Sequence, residues 1–309
     1  MRAESAGLAA VLLVTACAGG APKDTVPPLA AQVRQLHVQG HRLLEQGDRE
    51  QAREVFEDAR QLAESLDDLA GLAQALNDLG AVASLEGMPT NAAELHRRAL
   101  ALAEKLGRPG PVGETLAHLG TALQLSGQHD QAKALYEQAL ALVRQTDDRH
   151  SESVLLNNIG LLEKSAGRVG QAEASFQAAL AINQALGDSR GQAANLVNLG
   201  LIAEEAGRLE EARMRYETAL ALDKAGEDRA SIAADLANLA RIADAQNHKD
   251  VALAYAQRAY WSYRSLGDTA RALAELHHAL ALSRAQGREV DAKQLQNELN
   301  ALQDSVAPP

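Results

Sequence analysis

Histidine and carboxylate side chains are the groups in this sequence that could bind a metal ion or carry out acid–base chemistry. His37 and His41 are four residues apart, so on a helix they would share a face and could hold a metal ion together with a carboxylate. The Glu that zinc proteases place directly after the first His is absent. Carboxylate pairs such as Glu204 and Glu205 are typical of solvated helix faces. We therefore predict that the chain is not an enzyme and has no metal, no cofactor and no small-molecule substrate.

A repeat of 40 residues organises most of the chain. In the unit that begins at Ser153, Gly160 is followed by Gly167, then by Ala172 and then by Phe176. The first Gly recurs at Gly40, Gly80, Gly120 and Gly200, and the second at Gly47, Gly87, Gly127, Gly207 and Gly287, with Asn247 as the exception. The Ala recurs at Ala52, Ala92, Ala132, Ala212, Ala252 and Ala292, and the aromatic at Phe56, Tyr136 and Tyr216, with His96 and Ala256 as interruptions.

Each unit is predicted to form two helices. Apolar residues such as Leu155 and Ile159 fall at helical spacing before Gly167, and Phe176 belongs to a second such series after it. A left-handed Gly at position 167 would end the first helix. Gly160 is small at the place where we expect the two helices to cross, so a larger residue there should force them apart.

The pattern Leu-Gly, Gly, Ala-x-x-x-Phe/Tyr-x-x-Ala-Leu resembles the tetratricopeptide repeat (TPR). That repeat usually has ~34 residues, and the longer spacing here, with Asn-Asn-Ile-Gly at 157–160, is similar to the kinesin light chain subtype. The resemblance implies an all-α fold, a right-handed TPR α-solenoid of about seven antiparallel helix pairs over residues 30–304. It also implies a non-enzymatic scaffold for protein–protein interactions.

Composition agrees with close-packed helices and excludes one class of partner. Apolar residues make up 46% of the chain and aromatic residues only 3%, so the core must be built from Ala and Leu. The formal net charge is −11. Because nucleic acid binding needs a basic surface, we predict that nucleic acid is not a partner.

The N-terminal residues differ in kind from the repeat. Arg2 precedes an apolar run over residues 8–16, which is too short to span a bilayer and has the length of a signal-peptide core. The run ends in Val-Thr-Ala-Cys at 14–17, which resembles the bacterial lipobox, and Cys17 is the only Cys of the protein. That resemblance implies a lipoprotein signal peptide over residues 1–16 and a lipid on Cys17 that attaches the protein to a membrane. Ala18 stands where an inner-membrane retention signal would have Asp. We therefore expect an outer membrane lipoprotein of the bacterial cell envelope that faces the periplasm.

Two further segments flank the solenoid. Residues 17–29 are rich in Gly and Pro, have no apolar period and are predicted to be a flexible tether. Residues 305–309 are predicted to be a short tail.

The TPR resemblance also implies a groove that binds a peptide or protein partner. In this family the first helices of the pairs line the concave side, and in kinesin light chain-like repeats Asn side chains there bond to the backbone of an extended peptide. An amide suits that role because it offers both a donor and an acceptor. The candidate groove residues are Asn77, Asp78, His118, Asn157, Asn158, Asn198, Asn238, His277 and His278, with Arg241 as a basic neighbour.

The sixth unit holds half of the eight aromatic residues of the chain. Trp261 stands where four other units have Ala, at 101, 141, 181 and 221. Each of these Ala residues follows a Leu that we expect to be buried, so the position is expected to be exposed on the outer helix. We predict that Trp261, together with Tyr263, is a surface anchor for a partner. Packing that is adapted to an atypical last repeat is the alternative.

Three functions remain open at this point. The first is a membrane-anchored scaffold that acts in envelope assembly or secretion. The second is a cytoplasmic TPR adaptor or regulator, which would follow if Cys17 were never acylated. The third is an accessory subunit of an envelope enzyme, in which the aromatic patch matters more than the Asn residues.

Overall fold

A computed structural model describes residues 29–304, which form fourteen α-helices and no strand. The helices are α1 (Leu29–Glu45), α2 (Arg49–Ser65), α3 (Leu69–Leu85), α4 (Pro89–Leu106), α5 (Pro109–Leu125), α6 (His129–Gln145), α7 (Arg149–Ser165), α8 (Val169–Leu186), α9 (Ser189–Glu205), α10 (Leu209–Ala225), α11 (Arg229–Ala245), α12 (Lys249–Ser265), α13 (Thr269–Ala285) and α14 (Glu289–Asp304). Each helix packs on the next, which confirms the predicted all-α solenoid of seven helix pairs.

Several sequence predictions lie outside the described residues. They are the signal peptide over residues 1–16, the lipid on Cys17, the tether up to residue 28 and the tail over 305–309. Leu29, assigned above to the tether, is the first residue of α1. None of the helices between residues 29 and 304 has an apolar stretch long enough to cross a bilayer.

An Asp side chain caps the first helix of most pairs. In α9 the Asp188 carboxylate accepts a hydrogen bond of 3.0 Å from the backbone N–H of Gly191, which satisfies a donor that the helix itself leaves free. Equivalent caps at the same position of the repeat are Asp68, Asp148, Asp228 and Asp268. Helix α5 has Arg108 at this position and begins instead with Pro109, whose φ angle already suits a first helical residue.

The turns have the left-handed backbone that the sequence predicts. Gly167 has φ +74° between α7 and α8, and Asn247, the exception in the series, has φ +61°. Between pairs the left-handed residue is Gly187 or, in other units, Asp147 or Glu227. These turns close each unit at the same place, so the 40-residue period is kept in space.

The first and second helix of a pair meet at Gly160 and its equivalents. A Cβ atom built on Gly160 would lie 2.7 Å from Cε1 of Phe176, so the aromatic ring lies directly against the backbone of α7. The same contact joins Gly40 to Phe56 and Gly200 to Tyr216. The aromatic ring therefore fills the space between the two helices of one pair.

The odd-numbered helices line the inner side of the solenoid. From α1 to α9, each odd-numbered helix contacts the next odd-numbered helix in addition to its neighbours in sequence, whereas the even-numbered helices pack together less closely. The helices that lie closer together form the inside of a curve. From α1 to α9, this packing agrees with the expectation that the first helices line the concave side.

Candidate protein-binding groove

Two Asn side chains on neighbouring inner helices form a hydrogen-bonded pair, which we call the amide pair. Nδ2 of Asn198 on α9 donates to Oδ1 of Asn157 on α7 over 2.9 Å, and both side chains are partly exposed. Within residues 29–304, Nδ2 of Asn157 and Oδ1 of Asn198 have no hydrogen-bond partner. The pair therefore leaves one donor and one acceptor free for a ligand.

The surface around the amide pair is partly apolar. Val154 is exposed, Leu161 and Val197 are partly exposed, and all three are on the same two helices as the pair. Asn158, next to Asn157, is partly exposed and makes no side-chain hydrogen bond within the described part of the chain. This part of the groove combines free amide groups with apolar contact area.

On α11 the Asn at the equivalent position, Asn238, is bonded to an Arg that forms an ion pair. Oδ1 of Asn238 accepts a hydrogen bond of 2.9 Å from Arg241, and the Asn side chain is 9% exposed. Arg241 also forms two hydrogen bonds, of 3.2 and 2.9 Å, to the carboxylate of Glu204. Burial alone would lower the pKa of Arg241, but the hydrogen bonds and charge of Glu204 outweigh burial, so the pKa of Arg241 is raised. Asn238 therefore offers less to a ligand than Asn157 or Asn198 does, because it is nearly buried and its oxygen is already bonded to Arg241.

His278 and Arg241 border an open hollow of about 550 Å³. Nε2 of His278 lies 3.3 Å from Asp244, and Nδ1 lies 3.8 Å from Glu275. Glu275 and then Asp244 raise the pKa of His278 against the opposing effect of burial. His277 is exposed, with no hydrogen bond among the described residues. This end of the groove is polar and carries charges of both signs.

Asp78 lies in the N-terminal core and not in the groove. Its carboxylate is 2.6 Å from Nδ1 of His37 and 3.2 Å from Nε2 of His41, so both His side chains of α1 point at it. Burial alone would raise the pKa of Asp78, but the two His side chains outweigh it and lower the pKa. The hydrogen bond to Asp78 raises the pKa of His41. The expectation that Asp78 faces a ligand is wrong because α1 covers it.

Asn77 is also buried, in a polar cluster that joins α3, α4 and α5. Its Nδ2 donates to Thr115 over 2.8 Å and its Oδ1 accepts from Nδ1 of His96 over 3.1 Å. Burial, followed by the charge of His118, lowers the pKa of His96 to about 3. His118 is partly buried, with its ring centroid 5.4 Å from that of His96. Asn77 ties helices together, so the expectation that it lines the groove is also wrong.

A family model for the tetratricopeptide repeat matches residues 37–105, 112–185, 151–225 and 191–260. These stretches cover most of the solenoid. The chain belongs to the tetratricopeptide repeat family.

Solved structures confirm the TPR fold. BtubC (BKLC) from P. vanneervenii is 22% identical with a TM-score of 0.60, over 76% of this chain and 92% of that one. A Rap protein in complex with Competence and Sporulation Factor is 16% identical with a TM-score of 0.65, over 89% and 75%. Kinesin light chain TPR-like repeats from Podosopora anserina are 19% identical with a TM-score of 0.52, over 65% and 99%. No curated protein matches the chain.

Trp261 lies on the outside of the TPR solenoid, whereas Tyr263 does not. Trp261 is 54% exposed, with its ring 4.9 Å from that of Tyr260 and 5.1 Å from the guanidinium carbon of Arg264. Tyr263 is only 4% exposed. Residues two positions apart on a helix point to roughly opposite sides, so Tyr263 faces inward where Trp261 faces outward. The prediction that Tyr263 is a surface anchor is therefore wrong.

Asp223 and Asp235 are buried beside the groove, and no sequence motif singled them out. They belong to α10 and α11 and form a carboxyl pair. Burial, followed by the charge of Asp223, raises the pKa of Asp235 to about 8, and burial also raises the pKa of Asp223. The repeat could have revealed these two Asp residues, because the equivalent residues eighty positions earlier are the apolar Val143 and Leu155. Among the described residues, no group of three or more His, Cys, Asp or Glu could hold a metal ion.

Proposed function

We propose that this protein is a non-enzymatic scaffold that holds an extended segment of a partner protein against the amide pair. The proposal rests on the two groups that the amide pair leaves without a partner, which are a donor on Asn157 and an acceptor on Asn198. One peptide group of an extended chain offers the matching C=O and N–H. The Rap structure with Competence and Sporulation Factor supports the proposal, because there a similar fold binds a ligand.

The mechanism we propose depends on a groove that exists before the partner binds. The two helix pairs that carry Asn157 and Asn198 are each held by a neighbouring pair on both sides, so little conformational entropy is lost in the receptor when a segment docks. Val154 and Leu161 would supply apolar contact beside the backbone hydrogen bonds. Such a site would position the backbone of the bound segment, and neighbouring pockets would select its side chains.

The test is to select binders from a displayed library of random decapeptides with the full chain and then to measure affinity for variants. We expect Asn157→Ala combined with Asn198→Ala to weaken binding by about 30-fold, because two hydrogen bonds of about 1 kcal/mol each contribute about 2 kcal/mol together. The matched control is Gln177→Ala, which removes an exposed amide on the outer helix α8. Equal affinities for the double variant and wild type would refute the proposal.

We further propose that a lipid on Cys17 anchors the scaffold in the outer membrane, facing the periplasm. The lone Cys at the end of an apolar run supports this. Mass spectrometry and membrane fractionation beside a Cys17→Ala variant test it. A mature chain that begins at Cys17 with an added acyl mass would support a role in envelope assembly or secretion. An unprocessed wild type in the soluble fraction would favour the cytoplasmic adaptor.

A second candidate function is an accessory subunit that binds a folded partner through its outer surface. It is favoured by Trp261, which borders a cleft of about 160 Å³ between α12 and α14. Crosslinking in cells would separate the two candidates. Loss of the crosslinked partner in Trp261→Ala but not in Asn198→Ala would favour the outer surface, and the reverse result would favour the groove.

A further inference from the structure

A pocket beside the amide pair contains a buried carboxylate oxygen to which no N–H group in the described part of the chain donates. The pocket lies between α9 and α11, has a volume of about 380 Å³ and is lined by Asn198, Val197, Ala194 and both carboxyl groups of the Asp223–Asp235 pair. Asp235 is 1% exposed, and its Oδ2 receives no hydrogen bond from a basic, amide or hydroxyl group in residues 29–304, so its neighbour is the acidic side chain of Asp223. Because Asn198 lines the pocket and belongs to the amide pair, a segment bound at the pair would pass over it.

The fold does not require carboxyl groups at these two positions. The repeat places the same two positions at each interface between successive pairs, and both residues are buried at every such interface except the last, where Tyr263 is buried and Glu275 is partly exposed. Forty residues earlier the pair is Asn183 and Asn195, and eighty residues earlier it is Val143 and Leu155. Two apolar residues or two Asn residues therefore occupy the same interface in other repeats, although Oδ1 of Asn183 and Oδ1 of Asn195 have no hydrogen-bond partner within residues 29–304.

The carboxyl pair costs stability near neutral pH. Two buried acidic groups in contact disfavour full ionisation, so the charged form is less stable here than in water. The other charged groups that face the pair are Arg190 on α9 and Asp228 at the start of α11. Arg190 lines the pocket but forms no ion pair with either carboxylate among the described residues. At the same two positions the preceding repeat has two Asn residues and the following repeat has Tyr263 and Glu275, so among the described repeats two acidic groups meet only at Asp223 and Asp235. A costly feature confined to one repeat is typical of a functional site.

We propose that this pocket receives one Lys or Arg side chain of the segment bound in the groove. The apolar part of that side chain would pack on Val197 and Ala194, and its cationic head would donate to Oδ2 of Asp235. The proton that the two carboxyl groups hold in the empty pocket would leave to solvent as the cation enters. Binding would then become tighter as pH rises. The proposal rests on the proposed function of the groove and adds the chemistry of its ligand.

The test uses the decapeptides selected by the full chain. We expect one position of these peptides to be enriched in Lys or Arg, and we expect norleucine at that position to weaken binding about tenfold. Asp223→Asn combined with Asp235→Asn should cause the same loss, and these Asn residues reproduce the pair one repeat earlier. The control is Asp58→Asn with Asp130→Asn, which changes the net charge equally at exposed sites. Calorimetry in buffers with different ionisation enthalpies should show proton release for wild type only.

Four results would contradict the binding of a basic side chain in this pocket. Selected peptides without a basic preference, or peptides that bind the Asn double variant as tightly as wild type, would overturn this inference and leave the groove proposal intact. Binding that disappears in EDTA would assign the pocket to a metal ion instead. If no peptide binds wild type at all, both the groove proposal and this inference fail.

Discussion

Gly160 and Phe176, which are sixteen residues apart, form the contact that sets the distance between the two helices of a pair. A Cβ atom on Gly160 would lie 2.7 Å from the ring, closer than real Cβ contacts allow. In the sixth pair the equivalent residues are Ala240 and Ala256, and both are fully buried. The chain therefore contains two solutions for the same space, one with Gly and an aromatic ring and one with two Ala residues.

These two solutions predict the outcome of a double-mutant cycle. We expect Gly160→Ala to lower the free energy of unfolding by about 1–3 kcal/mol because the pair is overpacked. Phe176→Ala should cost about 3–5 kcal/mol because it leaves a cavity. In the double variant the new methyl group occupies part of that cavity, so the combined loss should be smaller than the sum. Urea unfolding of the four proteins measures this, and strict additivity would show that the two residues do not share one space.

A second prediction concerns His96, which faces Gly80 where other pairs have Phe or Tyr. Its pKa is about 3 in the folded protein against 6.5 ordinarily, so between pH 6.5 and 3 the unfolded chain binds more protons. Stability should therefore fall as pH drops through this range. His96→Phe should make the dependence of Tm on pH flatter over that range. The same variant should cost about 1–3 kcal/mol at pH 7, because Oδ1 of Asn77 loses its donor. Parallel Tm curves for the two proteins would contradict this account.

A third prediction concerns the buried carboxyl pair. The pKa of Asp235 is about 8 in the folded protein against 3.8 ordinarily, so between these values the folded chain binds more protons than the unfolded chain. Its contribution to stability is complete below pH 3.8 and is lost as pH rises towards 8. We expect Asp235→Asn to raise Tm at pH 8 and to flatten its decline between pH 5 and pH 8. Thermal unfolding at several pH values measures this, and a lower Tm at pH 8 would show that the carboxyl pair stabilises the interface.

The sequence was sufficient to predict the solenoid because its main determinants are local and repeated. Gly167 and its equivalents must adopt positive φ, and the apolar spacing fixes which face of each helix is buried. The candidate site was harder to predict because a position in the repeat does not give the partners of a side chain. Asn77 and Asn157 occupy the same position, yet Asn77 is enclosed by Thr115 and His96 while Asn157 keeps a free donor. That difference arises from the residues of neighbouring helices.

A fourth prediction separates the two aromatic residues proposed from the sequence as one anchor. Trp261→Ala should leave Tm nearly unchanged, because the side chain is exposed and removing it creates no cavity. Tyr263→Ala should lower the free energy of unfolding by about 3–5 kcal/mol, because Tyr263 is buried and packs in the core between the last helix pairs. Thermal and urea unfolding of both variants measure the contrast. A large loss for Trp261→Ala would assign that residue to the packing of the sixth pair, and its use as a contact for a partner would then lose its basis.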